Sequence, residues 1–228
     1  GAMSRVVFVT GTDTGAGKTV LTGLLLAHLR RHGVRALAMK PVESGGRADA
    51  RLLCALQERE LGLDEVNPFW FREPLAPAVA ARRCGASVLK KDILKAAGRL
   101  KSRCDVLLVE GAGGLLSPMG KNWSGLDLAL GLRAKTLLAA GNVLGAINHA
   151  RLTLDRLRWE KIESAGMVLM GGGRSVLCRE NASELGEKTG KVPIFEIGNS
   201  ADLKRGVSGI LRAEKKFSKT LAKVVSCL

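Results

Sequence analysis

The sequence predicts an α/β protein built on a mostly parallel sheet with helices on both faces. Three observations point there. Short apolar runs rich in β-branched and aromatic residues recur along the 228-residue chain. Stretches with helical spacing of apolar positions lie between them. The first run passes through a glycine-rich turn straight into the first helix. Buried strands that alternate with helices are the pattern of a parallel sheet covered on both sides.

Taken in order, residues 5–10 (RVVFVT) read as a strand, glycines follow, and a helical pattern runs from Lys18 to about Arg31. Gly33 ends that helix, as a residue free to take positive φ does, and 34–39 reads as the second strand. Residues 48–60 have helical spacing. Three prolines between Val66 and Pro77 predict an irregular connection. A helix over 88–101 leads to a short buried strand at 105–109 (DVLLV). Then come a helix at 124–133, a strand at 136–140 (TLLAA), a helix at 145–158, and strands at 165–170 (AGMVLM) and 192–197 (VPIFEI). The basic stretch 204–223 carries apolar residues at 207, 210, 211, 217, 221 and 224, so it reads as a packed helix with a solvated positive face. No linker or repeat divides the chain. The expectation is one domain over 3–228, with Gly1-Ala2 set aside as a scar of tag removal.

Composition narrows the class. Hydrophobic content of 46% with 25% charged residues is that of an ordinary globular protein. No run approaches the roughly 18 apolar residues of a membrane span, and no secretory signal is present. The five cysteines (54, 84, 104, 178 and 227) have no metal or disulfide spacing, which implies a reduced, cytoplasmic setting and no membrane partner. A net charge of +15 would suit a nucleic-acid binder, but the basic residues are dispersed, and three Trp and five Phe with no Tyr offer little for base stacking. The charge is therefore taken as background, with no nucleic-acid partner expected.

The stretch VFVTGTDTGAGKTV (7–20) carries the first chemistry. Gly-Lys-Thr directly after a buried strand is a P-loop. Its backbone N–H groups converge on phosphate oxygens at a helix N-terminus, where the helix dipole also favours an anion. Thr14, Gly15, Ala16, Gly17, Lys18, Thr19 and Val20 form the nucleotide cradle, with Lys18 on the β- and γ-phosphates and the Thr19 hydroxyl on Mg²⁺. Five residues, where four are usual, separate Gly11 from Gly17, so Thr12 fills the first-glycine slot. The second strand ends in MKPVESG (39–45), which puts Lys40 at the rim where open α/β sheets bind ligands. A strand ending in VEGAGG (109–114) supplies Glu110, and Asp49 opens a helix. Thr19, Asp49 and Glu110 offer three oxygen ligands for Mg²⁺. Lys18 and Lys40 would flank a transferring phosphoryl group, whose spread charge makes positioned cations the main source of catalysis. This reading leaves the acceptor open.

GTDTGAGKT (11–19), KPVESG (40–45), VEGAGGLLSP (109–118) and LGAINHARLT (144–153) stand in the order and spacing of dethiobiotin synthetases, and from about residue 5 to 170 the chain resembles that family. The resemblance implies ATP- and Mg²⁺-dependent carboxylation of 7,8-diaminononanoate with CO₂, then ureido ring closure to dethiobiotin through a carbamate and its phosphoric anhydride, in biotin biosynthesis. It implies that Thr14, Lys18 and Lys40 act at the carbamate and γ-phosphate, and that Ser44 lies on the substrate side. It also implies a homodimer in which Gly145, Ala146, Ile147 and Asn148 of the neighbouring subunit cap the substrate carboxylate. His149 reads as part of an ordinary helix start.

Three positions depart from the family pattern. Gly15 replaces a common acidic residue. Gly171-Gly172-Gly173 stand where an adenine-reading Asn is usual, and PIFEIGNS (193–200) replaces a Pro-rich segment. Phosphate and metal binding are thus expected to follow the family, and base recognition to be rearranged. The alternative is a partition-type P-loop ATPase that binds DNA or a membrane surface. It lacks support from the loop, where Gly11-Thr12-Asp13 stand in place of that group's early lysine. A corrin-amide synthetase would need an amidotransferase domain, for which no Cys–His pair is present.

Overall fold

The computed structural model describes residues 4–173 and 175–228, so the expected scar at Gly1-Ala2 lies outside the described residues. The elements run β1 (Arg5–Gly11), α1 (Lys18–Arg31), β2 (Ala36–Met39), β3 (Val42–Ser44), α2 (Ala48–Leu56), α3 (Leu63–Val66), β4 (Phe69–Phe71), α4 (Pro77–Arg83) and α5 (Lys90–Lys101). They continue with β5 (Val106–Gly114), β6 (Pro118–Gly120), β7 (Trp123–Ser124), α6 (Gly125–Leu132), β8 (Lys135–Gly141), α7 (Ala146–Trp159), β9 (Ser164–Met170), α8 (Val176–Lys188) and β10 (Ile194–Ile197). A 3₁₀ turn (Ala201–Lys204) leads into α9 (Gly206–Ser226).

The core is a six-stranded sheet of order β10-β9-β8-β1-β5-β2, parallel at every pairing. β1 lies between β5 and β8, so the connections leave it in opposite directions, and the crevice beyond its carboxyl end is where such sheets take ligands. Val7, Phe8 and Val9 of β1 and Leu107, Leu108 and Val109 of β5 are buried, as strands covered on both faces require. α1 is buried almost all round, from Leu21 to Leu29, because it lies between the sheet and α9. α5 and α6 pack together against β5, and α6 also meets β1.

Several boundaries differ from the sequence expectation. The helix expected over 48–60 stops at Leu56, and Glu58 and Arg59 take positive φ in the turn that follows. The connection at 66–77 contains β4, which pairs with β3 in a separate two-stranded ribbon. The strand expected to end at 109 runs on to Gly114, which still pairs with Gly11 of β1. α4 and α8 were not expected. Along α9, Ile210, Leu221 and Val224 are buried as expected, but Leu211 is 47% exposed. No helix among the described residues is long and apolar enough to cross a membrane.

Candidate active site

At the carboxyl ends of β1, β2 and β5 the chain forms a cleft of about 590 Å³. Thr14, Gly15, Gly17, Lys18, Thr19 and Val20 line one side, and Lys40, Glu43, Ser44 and Asp49 another. Ala112, Gly113 and Ser117 close it. Of the loop residues expected in the cradle, only Ala16 is absent from the lining, and it is 5% exposed.

The loop takes its shape from Gly17, the N-cap of α1, at φ 90°. A Cβ there would lie 2.9 Å from the Met170 side chain, so β9 presses on the loop and only glycine fits both demands. No side chain caps α1, and its first turn has no acidic residue. The N–H groups that a helix start leaves unpaired are thus available to an anion. Lys18 is buried and donates from Nζ to the Asp13 carbonyl at 2.8 Å. Burial, and then the neighbouring Lys40 ammonium, pull its pKa down to about 8.

Lys40 is 4% exposed and held from both ends. Its backbone N–H donates to the Val66 carbonyl at 2.8 Å, and its carbonyl accepts from Asn67 Nδ2 at 2.7 Å. Pro41 follows and stiffens the turn into β3. The ammonium donates to Glu110 Oε1 at 2.5 Å, Asp49 Oδ2 at 3.1 Å and the Gly111 carbonyl at 3.2 Å. Burial opposes the charge, but the Glu110 and Asp49 carboxylates outweigh it and hold Lys40 above the ordinary lysine range. The Thr19 hydroxyl donates to the same Glu110 oxygen at 2.7 Å.

This arrangement tests whether the residues suit a magnesium ion. Glu110 is fully buried, and its Oε2 has no hydrogen-bond partner among the described residues. A wholly buried polar oxygen without a donor is costly, and a cation would complete it. Thr19 donates to Glu110 Oε1, and Asp49 accepts from the Lys40 ammonium bound to that same oxygen, so the three oxygen donors border one lysine; such an all-oxygen set matches a hard divalent ion. The residues fit.

Glu43 was not singled out in the sequence, yet it shapes the site. It is 6% exposed, and its two oxygens accept from the backbone N–H groups of Asp49 and Ala50, each at 3.0 Å. It thereby caps α2 and fixes Asp49. Asn67, which accepts from Arg47 at 3.0 Å as it holds Lys40, was missed for the same reason. Asn67 acts on a residue 27 positions away, and Glu43 reaches over a turn to N–H groups six and seven positions ahead, contacts that no periodic spacing announces. Ser44 lines the cleft with its hydroxyl donating to the Leu75 carbonyl at 2.5 Å.

Gly145, Ala146, Ile147 and Asn148 are absent from the cleft lining. α7 begins at Ala146, so three of the four belong to its first turn, with Gly145 as N-cap at φ 91°. Ala146 is buried, and Gly145 and Asn148 are exposed beside Leu144, which is 85% exposed. On the opposite side of the loop, Asn199 N–H donates to the Gly172 carbonyl at 3.1 Å, and the Asn199 side chain lies against Gly171.

Residues 5–202 match a family model described as an AAA domain. The chain is 42% identical over 164 residues to the ATP-dependent dethiobiotin synthetase BioD of Akkermansia muciniphila, covering 72% of this chain and 77% of that protein. Against the same-named protein of Anaeromyxobacter dehalogenans (strain 2CP-1) it is 36% identical over 222 residues, covering 93% of this chain and all (100%) of that one. Among solved structures, the MinD cell division protein of Aquifex aeolicus superposes with a TM-score of 0.63 at 18% identity, covering 98% of this chain and 96% of that one. That likeness speaks for the fold alone and lends the partition-type alternative nothing further.

Proposed function

We propose, because this chain belongs to the ATP-dependent dethiobiotin synthetase family, that it converts 7,8-diaminononanoate, CO₂ and ATP to dethiobiotin, and that the residues of the cleft carry the steps as follows. The observation that carries the reading is the buried knot in which the Thr19 hydroxyl and the Lys40 ammonium share Glu110 Oε1, beside Lys18 and the phosphate loop.

Thr19, Asp49 and Glu110 would hold the metal. When bound, Mg²⁺ neutralises charge on the β- and γ-phosphate oxygens. The backbone of residues 14–20 orients the triphosphate, and Lys18 turns from the Asp13 carbonyl to its terminal oxygens. One amine of the diamine takes up CO₂ to give a carbamate, which Thr14 and Lys40 position in line with the γ-phosphorus. The carbamate oxygen attacks, ADP leaves, and the two lysines stabilise the charge spread over the phosphoryl oxygens. The second amine then attacks the carbonyl carbon of the mixed anhydride, closing the ring and releasing phosphate. Ser44 faces the substrate from the rim.

In this reading one α/β unit provides the phosphate machinery, and a second copy of the chain provides the Gly145–Asn148 helix start that receives the distal carboxylate. The exposed apolar run Val143-Leu144 beside it supports burial against a neighbour. The test is direct. Incubation with diaminononanoate, bicarbonate and Mg·ATP should yield a product of dethiobiotin mass, with phosphate release that depends on the diamine. Phosphate release indifferent to the diamine, with no product, would refute the assignment.

A further inference from the structure

About 15 Å along α1 from its phosphate-binding start, two histidines stand one turn apart at the helix's carboxyl end. His28 is 4% exposed and His32 is exposed, with ring centroids 4.2 Å apart. Glu214 reaches them from α9 and is 2% exposed. A ligand-capable atom of each of the three lies within 4.8 Å of those of the other two.

Hydrogen bonding fixes both rings in one tautomer. His32 Nδ1 is 2.8 Å from the His28 carbonyl, which can only accept, so that nitrogen carries the proton. His28 Nδ1 is 2.7 Å from Glu214 Oε1. Glu214 Oε2 accepts from Arg31 at 2.8 Å, so the carboxylate meets a donor on each oxygen and His28 Nδ1 donates to it. With the proton on Nδ1, this tautomer leaves the lone pair of each ring on Nε2. A carboxylate that braces one imidazole and a backbone carbonyl that braces the other are the usual supports of metal-binding histidines. The unpaired carbonyls at a helix C-terminus add to the attraction for a cation. Arg31 occupies the other oxygen of Glu214 at 2.8 Å, which leaves the carboxylate as a brace more than a direct ligand. An interhelical ion pair alone accounts for His28 and Glu214. It does not account for His32, an exposed residue whose ring centroid lies 4.2 Å from that of His28.

We propose that His28 and His32, braced by Glu214, form a site for a borderline divalent cation of the Zn²⁺ type, separate from the all-oxygen cleft. Imidazole nitrogen selects such ions over Mg²⁺. Occupancy would fasten α9 to the helix that begins at the phosphate loop.

The test uses the whole protein in excess Mg²⁺, titrated with Zn²⁺ by calorimetry and with Co²⁺ by visible spectroscopy. The expected result is saturable binding of one ion per chain, a Co²⁺ spectrum of nitrogen and oxygen ligation, and a raised melting temperature with Zn²⁺. His32→Ala, at an exposed position, should keep its circular dichroism and lose all three. Glu214→Gln should weaken Zn²⁺ binding by roughly 10- to 100-fold, as loss of a brace does. Absence of saturable binding, binding that survives in His32→Ala, or a thiolate charge-transfer band would each overturn the proposal. None of these readouts involves ring closure, so their failure leaves the proposed function untouched.

Discussion

Replacing Lys40 by alanine perturbs the fold and the chemistry together, and the structure sets a magnitude for each. The Lys40 and Glu110 side chains are 5% and 0% exposed and 2.5 Å apart, so the pair has little solvent to fall back on. Removing one partner of such a pair costs about 3–5 kcal/mol, because the other charge remains buried. Thr19 still donates to Glu110 at 2.7 Å, which favours the lower end of that range. Asp49 is 40% exposed and adds little. Catalysis should suffer separately. Loss of a preorganised charge at the transferring phosphoryl lowers turnover by roughly 10²-fold or more. Urea denaturation without nucleotide measures the first effect, and diamine-dependent phosphate release at saturating Mg·ATP measures the second. Lys40→Ala combined with Glu110→Gln should recover part of the lost stability but none of the activity, since the coupling lies between two touching groups. An unchanged turnover would remove Lys40 from the mechanism. Additive stability losses would refute the buried pair.

Other expectations follow from the same geometry. Glu110→Gln should raise the Mg²⁺ concentration needed for half-maximal rate, and an unchanged metal titration would exclude Glu110 as a ligand. Glu43→Ala should cost about 1 kcal/mol as a lost helix cap and raise the Mg²⁺ requirement through Asp49, with Glu43→Gln milder; wild-type metal dependence in Glu43→Ala would count against positioning. Burial pushes the Asp127 carboxyl up, but hydrogen bonds from the Ser124 N–H and hydroxyl, each at 2.8 Å, hold it below the ordinary range. Its stabilising share is therefore complete above the unfolded aspartate value and lost as pH falls through the lower folded one. Asp127→Asn should accordingly cost about 1 kcal/mol at neutral pH and progressively less in acid, and a pH-independent gap would contradict this. ATP should outperform GTP and CTP, with Asn199→Ala narrowing the difference; equal rates with all three would show that no group has replaced the family's adenine-reading Asn.

The sheet and the phosphate side of the site were legible because their signals are local. Buried strands read as continuous apolar runs, and Lys18, Lys40 and Glu110 each stand just beyond or late in such a run. What was hidden depended on distant partners. α8 buries Cys178, Asn181 and Leu185, and an asparagine in the inward stripe masks the helical period. Asn181 is there because it donates to Asn142 Oδ1 at 2.9 Å, after β8. The apolar run ends at Val109, yet β5 continues to Gly114 because Gly11 of β1 pairs with Gly114. Met170 gave no sign in the sequence that it presses on Gly17.

The central place of β1 in the strand order has a further consequence for how such a protein can change. The groups proposed for the triphosphate and its metal come from β5 and from the segments after β1, β2 and β3, whereas the glycines at 171–173 and the segment at 193–200 follow β9 or surround β10 on the far side. If, as proposed, that far side meets the nucleobase, mutation can redraw it while the half that handles energy transfer is inherited intact. A lineage built this way is free to drift in which nucleotide it prefers without first losing the ability to spend one.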